Sequence, residues 1–339
     1  MRPLEELVLK ITRACERRCI HCSCKGGEPL PNELTTEEII SLLSQFKSLG
    51  GKRLNIDGGD PMYRRRDVFE ILKHTKGLEE VRIFTSCTTG SLTKDEIKEL
   101  VKYKVKIFLS FYSSNPLIFD KITATPNSWQ RSIELTLTLK EANLFVGWSF
   151  VVTKLNVNNF SKLVELAKVY GVNIINILRF VPQGRGAENR SQLEISSVEF
   201  LEFLNEFIEI AEKTETPKLR LSSPCDFRFL YDASIEPGIC EAGVKSCTIE
   251  PNGVVLPCPA FEDLPMFIAG NIREQSLIKI WNESKVFGDI RKFWAETKNF
   301  CKCEYFEICR GRCLAQRYYA YGRMDKGPDP ICPKNLLRT

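Results

Sequence analysis

The pattern of hydrophobic and polar positions alternates between that of β-strands and that of α-helices along the first two-thirds of the chain. Apolar runs with the pattern of buried strands occupy residues 7–11, 53–57, 81–84, 105–111, 144–152 and 172–178. Apolar residues at helical spacing follow a capping box at residues 35–38 and a second capping box at 93–96. The same spacing recurs at residues 67–73, 128–141 and 158–170. Six units of about 35 residues predict a parallel sheet with right-handed crossovers, either a barrel or a doubly wound sheet.

Three cysteines lie where the first predicted strand ends. In both architectures ligands bind at the C-terminal ends of the strands, and the loop there contains Cys15, Cys19 and Cys22. Three thiolates in so short a loop can hold a four-iron cluster and leave one iron open for a small molecule. Structural zinc is the alternative, but zinc wants a fourth ligand, and His21 is poorly placed to supply it between two ligands.

The composition of the chain favours metal binding as the role of these thiols. The 339 residues include 14 cysteines, and neither a secretory signal nor a run of about 20 apolar residues is present. We therefore expect a cytoplasmic protein whose thiols stay reduced and serve as ligands. The formal charge of +5 would fall when negatively charged clusters are bound, so we expect neither nucleic acid nor a membrane as a partner.

The last third of the chain has a different character. An amphipathic helix around residues 200–208 precedes a predicted linker at 214–217, after which the predicted strands and helices become short. We predict one domain over residues 1–213 and a second over 214–339. The second contains eight cysteines that invite division into two sites of four: Cys240, Cys247, Cys258, Cys301, Cys303, Cys309, Cys313 and Cys332.

The first cysteine loop, with its CxxxCxxC spacing, resembles that of the radical S-adenosylmethionine (radical SAM) superfamily. Residues 58–61, Gly-Gly-Asp-Pro, look like the GGEP motif of that family, with Asp in place of Glu. Residues 119–129 and 179–186 are similar to segments of members that carry a C-terminal SPASM domain. The resemblance implies a partial (β/α)6 TIM-like barrel followed by a small Cys-rich SPASM domain. It also implies SAM bound to the open iron and cleaved by an electron to a 5′-deoxyadenosyl radical.

The resemblance assigns roles to residues at the strand ends. Gly58, Gly59 and Asp60 would hold the SAM amino group, and Ser110 would contact the ribose. His21 would pack against the adenine, and Arg179 would pair with the SAM carboxylate. Cys87, at the end of the third strand, would face the cavity and is a tentative catalytic thiol that donates a hydrogen atom. Taken alone, each of these residues also fits a structural role in a turn, a core or a surface.

The second cysteine array resembles the SPASM domain, in which two auxiliary four-iron clusters have interlaced ligands. Carried over, the ligands of the first would be Cys240, Cys247, Cys258 and Cys313, and those of the second Cys301, Cys303, Cys309 and Cys332. One residue separates Cys301 from Cys303 where two are usual, and a zinc ribbon remains an alternative for this half. The resemblance thus implies three 4Fe-4S clusters and SAM, and it leaves Cys24 and Cys225 as packing residues.

Members with a SPASM domain mostly modify peptides or proteins by crosslinking, epimerisation or oxidation, so we expect a peptide or protein substrate. Decarboxylation of tetrapyrrole side chains in heme biosynthesis is the alternative, because residues 257–259, 269–272 and 277–281 are also similar to that branch. A low-potential donor such as ferredoxin or flavodoxin would supply the electron. An alternative of another class is a non-catalytic iron–sulfur or zinc protein that carries electrons or acts as a scaffold.

Overall fold

One sheet organises the residues that the computed structural model describes, which are 2–86, 90–232 and 234–334. Its ten strands have the order β10-β9-β8-β1-β2-β3-β4-β5-β6-β7. The strands are β1 (Glu6–Lys10), β2 (Arg53–Asp57), β3 (Glu80–Thr85), β4 (Lys106–Ser110), β5 (Phe145–Val152), β6 (Ile174–Arg179), β7 (Lys218–Leu221), β8 (Ser246–Ile249), β9 (Val254–Leu256) and β10 (Gly270–Asn271). Strands β1 to β7 are parallel to their neighbours. Since β7 and β10 are its two edges, the sheet is an open, partial barrel, as the sequence predicts.

Thirteen α-helices lie within the described residues. They are α1 (Thr36–Ser48), α2 (Arg65–Lys73), α3 (Lys94–Lys102), α4 (Pro116–Thr123), α5 (Ser128–Glu141), α6 (Phe160–Val169), α7 (Arg185–Glu188), α8 (Arg190–Leu193), α9 (Ser197–Glu212), α10 (Leu277–Glu283), α11 (Lys285–Glu296), α12 (Phe306–Cys309) and α13 (Leu314–Tyr321). Both predicted capping boxes form, with Thr35 before α1 and Thr93 before α3. Local side-chain hydrogen bonds therefore determine where these two helices begin.

The two faces of the sheet have different chemistry. Leu7 and Leu9 of β1 are fully buried in the apolar core, whereas Lys10, on the opposite face, lines a cavity. Alternate residues of a strand point to opposite faces, so one face packs against apolar residues and the other presents polar groups to the barrel interior. This alternation decides which side chains reach a ligand.

The C-terminal part joins the same sheet, which the sequence did not indicate. Strand β7 follows the predicted linker and pairs with β6. On the other side, β8 pairs in parallel with β1, with Leu7 opposite Cys247. Backbone hydrogen bonds thus connect the two predicted domains, and the boundary between residues 213 and 214 stays a prediction. Among the described residues, no helix has the length and apolar character needed to span a bilayer.

Candidate metal and cofactor sites

A cavity of about 270 Å³ lies at the C-terminal ends of the parallel strands. Its wall includes the three thiols of the loop after β1, namely Cys15, Cys19 and Cys22. Five of the six residues that the sequence assigns to SAM binding also line it: His21, Gly58, Gly59, Ser110 and Arg179. The fold therefore gathers residues from four strand ends around one space.

Contacts from outside the cavity hold the backbone of the cysteine loop. The amide of Ile20 donates to the carbonyl of Ile122 at the end of α4, at 2.9 Å. The Arg185 guanidinium, from the segment after β6, donates to the carbonyls of Cys19 and Gly26 at 3.0 and 2.9 Å. Because these partners satisfy the backbone, the thiols remain available to face the cavity. Arg185 lies in the segment 179–186 that resembles the family, but no local sequence signal indicates its contact with the cysteine loop.

Two glycines allow the turn after β2 to approach the cysteine loop. Gly58 has a φ of +149°, and a Cβ on it would lie 2.4 Å from the Thr12 carbonyl oxygen. A Cβ on Gly59 would lie 2.4 Å from the Ala14 carbonyl oxygen. The Gly59 and Asp60 amides donate to these same two carbonyls, each at 2.7 Å. Any side chain here would push the cysteine loop away from the turn.

Asp60 lies beneath the cavity, and its carboxylate is occupied. The side chain is fully buried and accepts hydrogen bonds from the hydroxyls of Thr85 and Ser86, both at 2.6 Å. It also accepts from the amides of Ser86 and Met62, at 3.2 and 3.1 Å. The carboxylate thereby connects the ends of β2 and β3, and a contact between Asp60 and the SAM amino group stays a prediction.

His21 is neutral and packed between aromatic and cationic side chains. Its ring meets Tyr112 edge to face, with centroids 4.5 Å apart. Burial, together with the nearby guanidiniums of Arg185 and Arg17, lowers the pKa of His21 to about 4, which favours the neutral imidazole at pH 7. Arg17 also donates to the carbonyl of Ser110 at 3.3 Å. The arrangement suits packing against a planar ligand and gives His21 no role in proton transfer.

Burial keeps the first two thiols protonated in the metal-free protein. It raises the pKa of Cys15 to about 11 and that of Cys19 to about 12. The thiol of Cys24, 3.7 Å from the Cys22 sulfur, lowers the pKa of Cys22. Since thiolate is the form that binds metal, loading this site releases protons.

A second cavity is lined by four thiols of the C-terminal part: Cys301, Cys303, Cys309 and Cys332. Its other walls are mostly apolar and include Phe227, Phe229 and Tyr305. The short spacing between Cys301 and Cys303 does not keep either thiol from this cavity. The structure thus brings together the four residues that the sequence groups as the second auxiliary site.

Three of the four cysteines grouped as the first auxiliary site are electrostatic neighbours. The thiols of Cys240 and Cys313 both act on the pKa of Cys258, and Cys313 acts on that of Cys240. The thiol of Cys247, by contrast, has Arg291 as the charged neighbour that acts on its pKa.

Strand alternation explains the position of Cys247. Its partner across the β8–β1 pairing is Leu7, and both belong to the apolar core. Neighbouring residues in register on paired strands point to the same face of a sheet, so Cys247 points into the core. The assignment of Cys247 as a ligand of the first auxiliary site stays a prediction, and this orientation adds no support to it.

Comparison with known proteins identifies the family. The chain matches the radical SAM superfamily over residues 9–169, and it matches the SPASM domain, an iron–sulfur cluster-binding domain, over residues 240–314. The chain is a radical SAM protein with a SPASM domain. Radical SAM proteins of this kind are enzymes that bind iron–sulfur clusters and SAM. The family assignment thus favours iron–sulfur clusters over the zinc sites that the sequence left open, and catalysis over a carrier or scaffold role.

Relatives of this radical SAM protein carry different names. An AdoMet-dependent heme synthase from Methanosarcina barkeri is 29% identical over 332 residues, covering 92% of each chain. The mycofactocin maturase MftC from Mycolicibacterium smegmatis is 26% identical over 336 residues, covering 96% of this chain and 82% of the relative. Streptococcus suis SuiB bound to S-adenosylmethionine has the same fold, with a TM-score of 0.78, 20% identity, and coverage of 98% of this chain and 77% of that chain.

The donor atoms present fit the groups that the radical SAM family implies. Cys15, Cys19, Cys22 and Cys24 all border a cavity that has room beside them, and a cluster held by the first three would leave one iron open for a small molecule. Four thiols border a mostly apolar cavity, which suits a cluster with complete protein ligation. These fits concern ligand type and number, and each assignment of a residue to a cluster stays a prediction.

Arg179 has a partner that the sequence did not predict. Its Nη1 lies 2.6 Å from both carboxylate oxygens of Asp329, and the two side chains are 9% and 1% exposed. Asp329 also accepts a hydrogen bond from the amide of Cys313. A SAM carboxylate would therefore have to compete with Asp329 for this guanidinium, so the predicted pairing has less support than the sequence gave it.

Two further residues at the cavity were missed as functional candidates. Cys24, expected to be inert packing, lines the same cavity as the cysteines of the loop. Lys10 lines it as well and is paired with Glu250 and Glu262 at 2.8 and 2.7 Å. No local sequence signal connects Lys10 with carboxylates some 240 residues away. The tentative catalytic residue, Cys87, lies outside the described residues.

Proposed function

We propose that this enzyme cleaves SAM at a cluster held by Cys15, Cys19 and Cys22 and takes a hydrogen atom from a peptide or protein substrate. The observation that carries the proposal is the shared cavity, which these three thiols line together with Gly58 and Gly59. A three-thiolate site beside open space is what SAM binding at a cluster requires. Two auxiliary clusters in the SPASM domain, three clusters in all, complete the proposal.

A bound cluster and SAM would supply a 5′-deoxyadenosyl radical, and the residues of this chain would bind, orient and shield the reactants. Gly58 and Gly59 line the cavity and let the turn after β2 lie close to the cysteine loop. His21 and Tyr112 offer a neutral aromatic surface for a flat ring. A ligand that fills the cavity would displace water from it, which would protect a reactive intermediate from side reactions.

The charges beside the cavity favour a peptide over a tetrapyrrole. An adjoining cavity of about 260 Å³ shares Lys10, Cys24, Gly58 and Gly59 with the first. Its two cationic side chains are Lys10 and Arg13, and both are already near Glu262, at 2.7 and 3.7 Å. Its lining also includes the carboxylates Glu250 and Asp263. The carboxylates there outnumber the cationic side chains. They would repel an anionic tetrapyrrole, whereas they would not repel a neutral or basic peptide.

The name of one relative supports a second candidate. The heme synthase from Methanosarcina barkeri matches along 92% of both chains, so decarboxylation of a tetrapyrrole side chain remains the second proposal. The maturase MftC matches along 96% of this chain and supports the first. Binding of an iron porphyrin precursor, seen as a shifted Soret band, would favour the second candidate.

Deuterium transfer tests both candidates in one experiment. The protein is reconstituted with iron and sulfide without oxygen, then incubated with SAM, dithionite and either fully deuterated peptides or deuterated iron coproporphyrin. We expect deuterium in the 5′-deoxyadenosine formed with the peptides and none with the porphyrin. Deuterium with the porphyrin alone would reverse the ranking. If the wild-type protein forms no 5′-deoxyadenosine in either mixture, the proposed function is wrong.

A further inference from the structure

Arg317 on α13 is a buried cation without hydrogen-bond partners. Its side chain is fully buried, and Nε, Nη1 and Nη2 have no hydrogen-bond acceptor among the described residues. An arginine is rarely buried unless it is paired, because removing its charge from water costs several kcal/mol. The site therefore calls for a negative group that the protein atoms around it do not provide.

The helix directs this side chain toward a proposed cluster ligand. Cys313 is the N-cap of α13, and the Arg317 amide donates to the Cys313 carbonyl at 3.2 Å. Residues four apart in a helix share a face, and the side chain of the later one leans back toward the N-terminus. The guanidinium of Arg317 accordingly lies on the side where Cys313 leaves the helix.

The same guanidinium lies behind the wall of the four-thiol cavity. Gly311 lines that cavity, and a Cβ on it would be 3.1 Å from the Arg317 Cζ. Two aromatic rings also lie close to the guanidinium, with Cζ 4.4 Å from the centroid of Phe300 and 5.6 Å from that of Phe293. Arg317 thus lies close to two rings and to the loop that carries proposed ligands of both auxiliary sites.

The ionisable groups around Arg317 are one carboxylate and thiols of both sites. Burial lowers the pKa of the Arg317 guanidinium, while Asp329 and the thiols of Cys301, Cys313 and Cys309 act to raise it. Asp329 is already paired with Arg179 at 2.6 Å. The negative charge that would balance Arg317 is therefore that of the thiolates and clusters when the two sites are loaded.

We propose that Arg317 is a positioning residue of both auxiliary clusters, whose charge and free N–H donors stabilise their reduced forms. The proposal rests on the auxiliary clusters of the proposed function but not on its SAM chemistry. Reduction adds one negative charge to a cluster, and a nearby buried cation favours the more negative form. Arg317 would therefore raise the reduction potential of both clusters.

The test compares three variants in a parent protein that carries Cys15→Ala, Cys19→Ala and Cys22→Ala. These three substitutions remove the proposed SAM-binding cluster, so that only the auxiliary clusters are measured. Arg317→Met removes the charge and keeps the length of the side chain, and Arg317→Lys keeps the charge. Arg310→Met is the matched control, because Arg310 belongs to the same ligand loop, is 32% exposed and pairs with Glu307 at 2.8 Å. The readouts are iron content and the midpoint potentials from a redox titration followed by electron paramagnetic resonance.

We expect Arg317→Met to lower the ratio of reduced to oxidised cluster about tenfold at a fixed potential, about 59 mV for one electron. Arg310→Met and Arg317→Lys should stay within about threefold of the parent. Loss of iron in Arg317→Met with retention in Arg317→Lys would also support a role of the charge. An unchanged potential in loaded Arg317→Met would overturn the proposal, as would loss of iron in both Arg317 variants, which would make Arg317 a packing residue.

Discussion

Arg179 and Asp329 form a buried ion pair that connects the end of β6 with the C-terminal segment, 150 residues later in the chain. Arg179 lines the cavity with the three-cysteine loop, and Asp329 lines the cavity with the four thiols. One pair of side chains therefore borders both the proposed SAM site and a proposed auxiliary site. Its geometry gives the SPASM domain a defined position relative to the barrel.

Removing one partner of this pair should destabilise the fold. Asp329→Asn leaves the Arg179 guanidinium buried without a counter-charge, for which we expect a loss of about 3–5 kcal/mol in the free energy of unfolding. Anaerobic denaturation of the reconstituted protein measures it. As the control, Arg323→Ala breaks an exposed pair with Asp325 and should cost less than about 1 kcal/mol. Equal losses in the two variants would show that burial of the pair contributes nothing.

Restoring the glutamate of the family motif at position 60 should weaken SAM binding. Asp60 is fully buried and accepts hydrogen bonds from Thr85, Ser86 and Met62. The extra methylene of Asp60→Glu has no room and displaces these partners. We expect the affinity for SAM to fall about tenfold, an overpacking cost of about 1–3 kcal/mol, as measured by calorimetry on the reconstituted protein. Tighter binding by Asp60→Glu would mean that the carboxylate contacts SAM directly.

A methyl group at position 59 should disturb the first cluster selectively. The Cβ of Gly59→Ala would lie 2.4 Å from the carbonyl oxygens of Ala14 and Arg13, so the cysteine loop must move. We expect iron to fall from about 12 to about 8 atoms per chain, the loss of one four-iron cluster. Gly288→Ala is the control, because nothing lies within 4 Å of a Cβ there. Full iron content in Gly59→Ala would show that the close approach is not needed.

Substitution of Cys258 and of Cys247, which the sequence assigned to one site, should have different effects on the iron content. Cys258 lies with Cys240 and Cys313, whereas Cys247 faces the apolar core beside Leu7. We expect Cys258→Ala to lose about four iron atoms and Cys247→Ala to retain all of them. Iron and sulfide analysis, with Mössbauer spectra to count cluster types, distinguishes the outcomes. An equal loss in both variants would restore Cys247 as a ligand.

Short-range signals in the sequence predict most of the barrel. The two ends of each of the six predicted strands lie within two residues of the ends of an observed strand. Buried parallel strands are recognisable because they are nearly continuous apolar runs in the sequence. Capping boxes at Thr35 and Thr93 depend on residues three apart. The cysteine loop and the Gly-Gly turn were likewise recognisable, since each is contiguous in sequence.

Long-range pairings were not predictable from local patterns. The face on which Cys247 lies depends on the register between β8 and β1, 240 residues apart, and cysteine spacing contains no information on that register. Arg179 and Asp329 are similarly remote. Asp60 resembles a ligand in the sequence, but its partners Thr85 and Ser86 come from the neighbouring strand, so its occupied carboxylate emerges only from the folded sheet.

The formation of 5′-deoxyadenosine tests the central claim most directly. Reconstituted wild-type protein with SAM and dithionite should form it, and the variant with Cys15→Ala, Cys19→Ala and Cys22→Ala should form none while keeping about eight iron atoms in the auxiliary sites. This outcome would locate SAM cleavage at the loop after β1. Undiminished formation of 5′-deoxyadenosine by the triple variant would contradict the account.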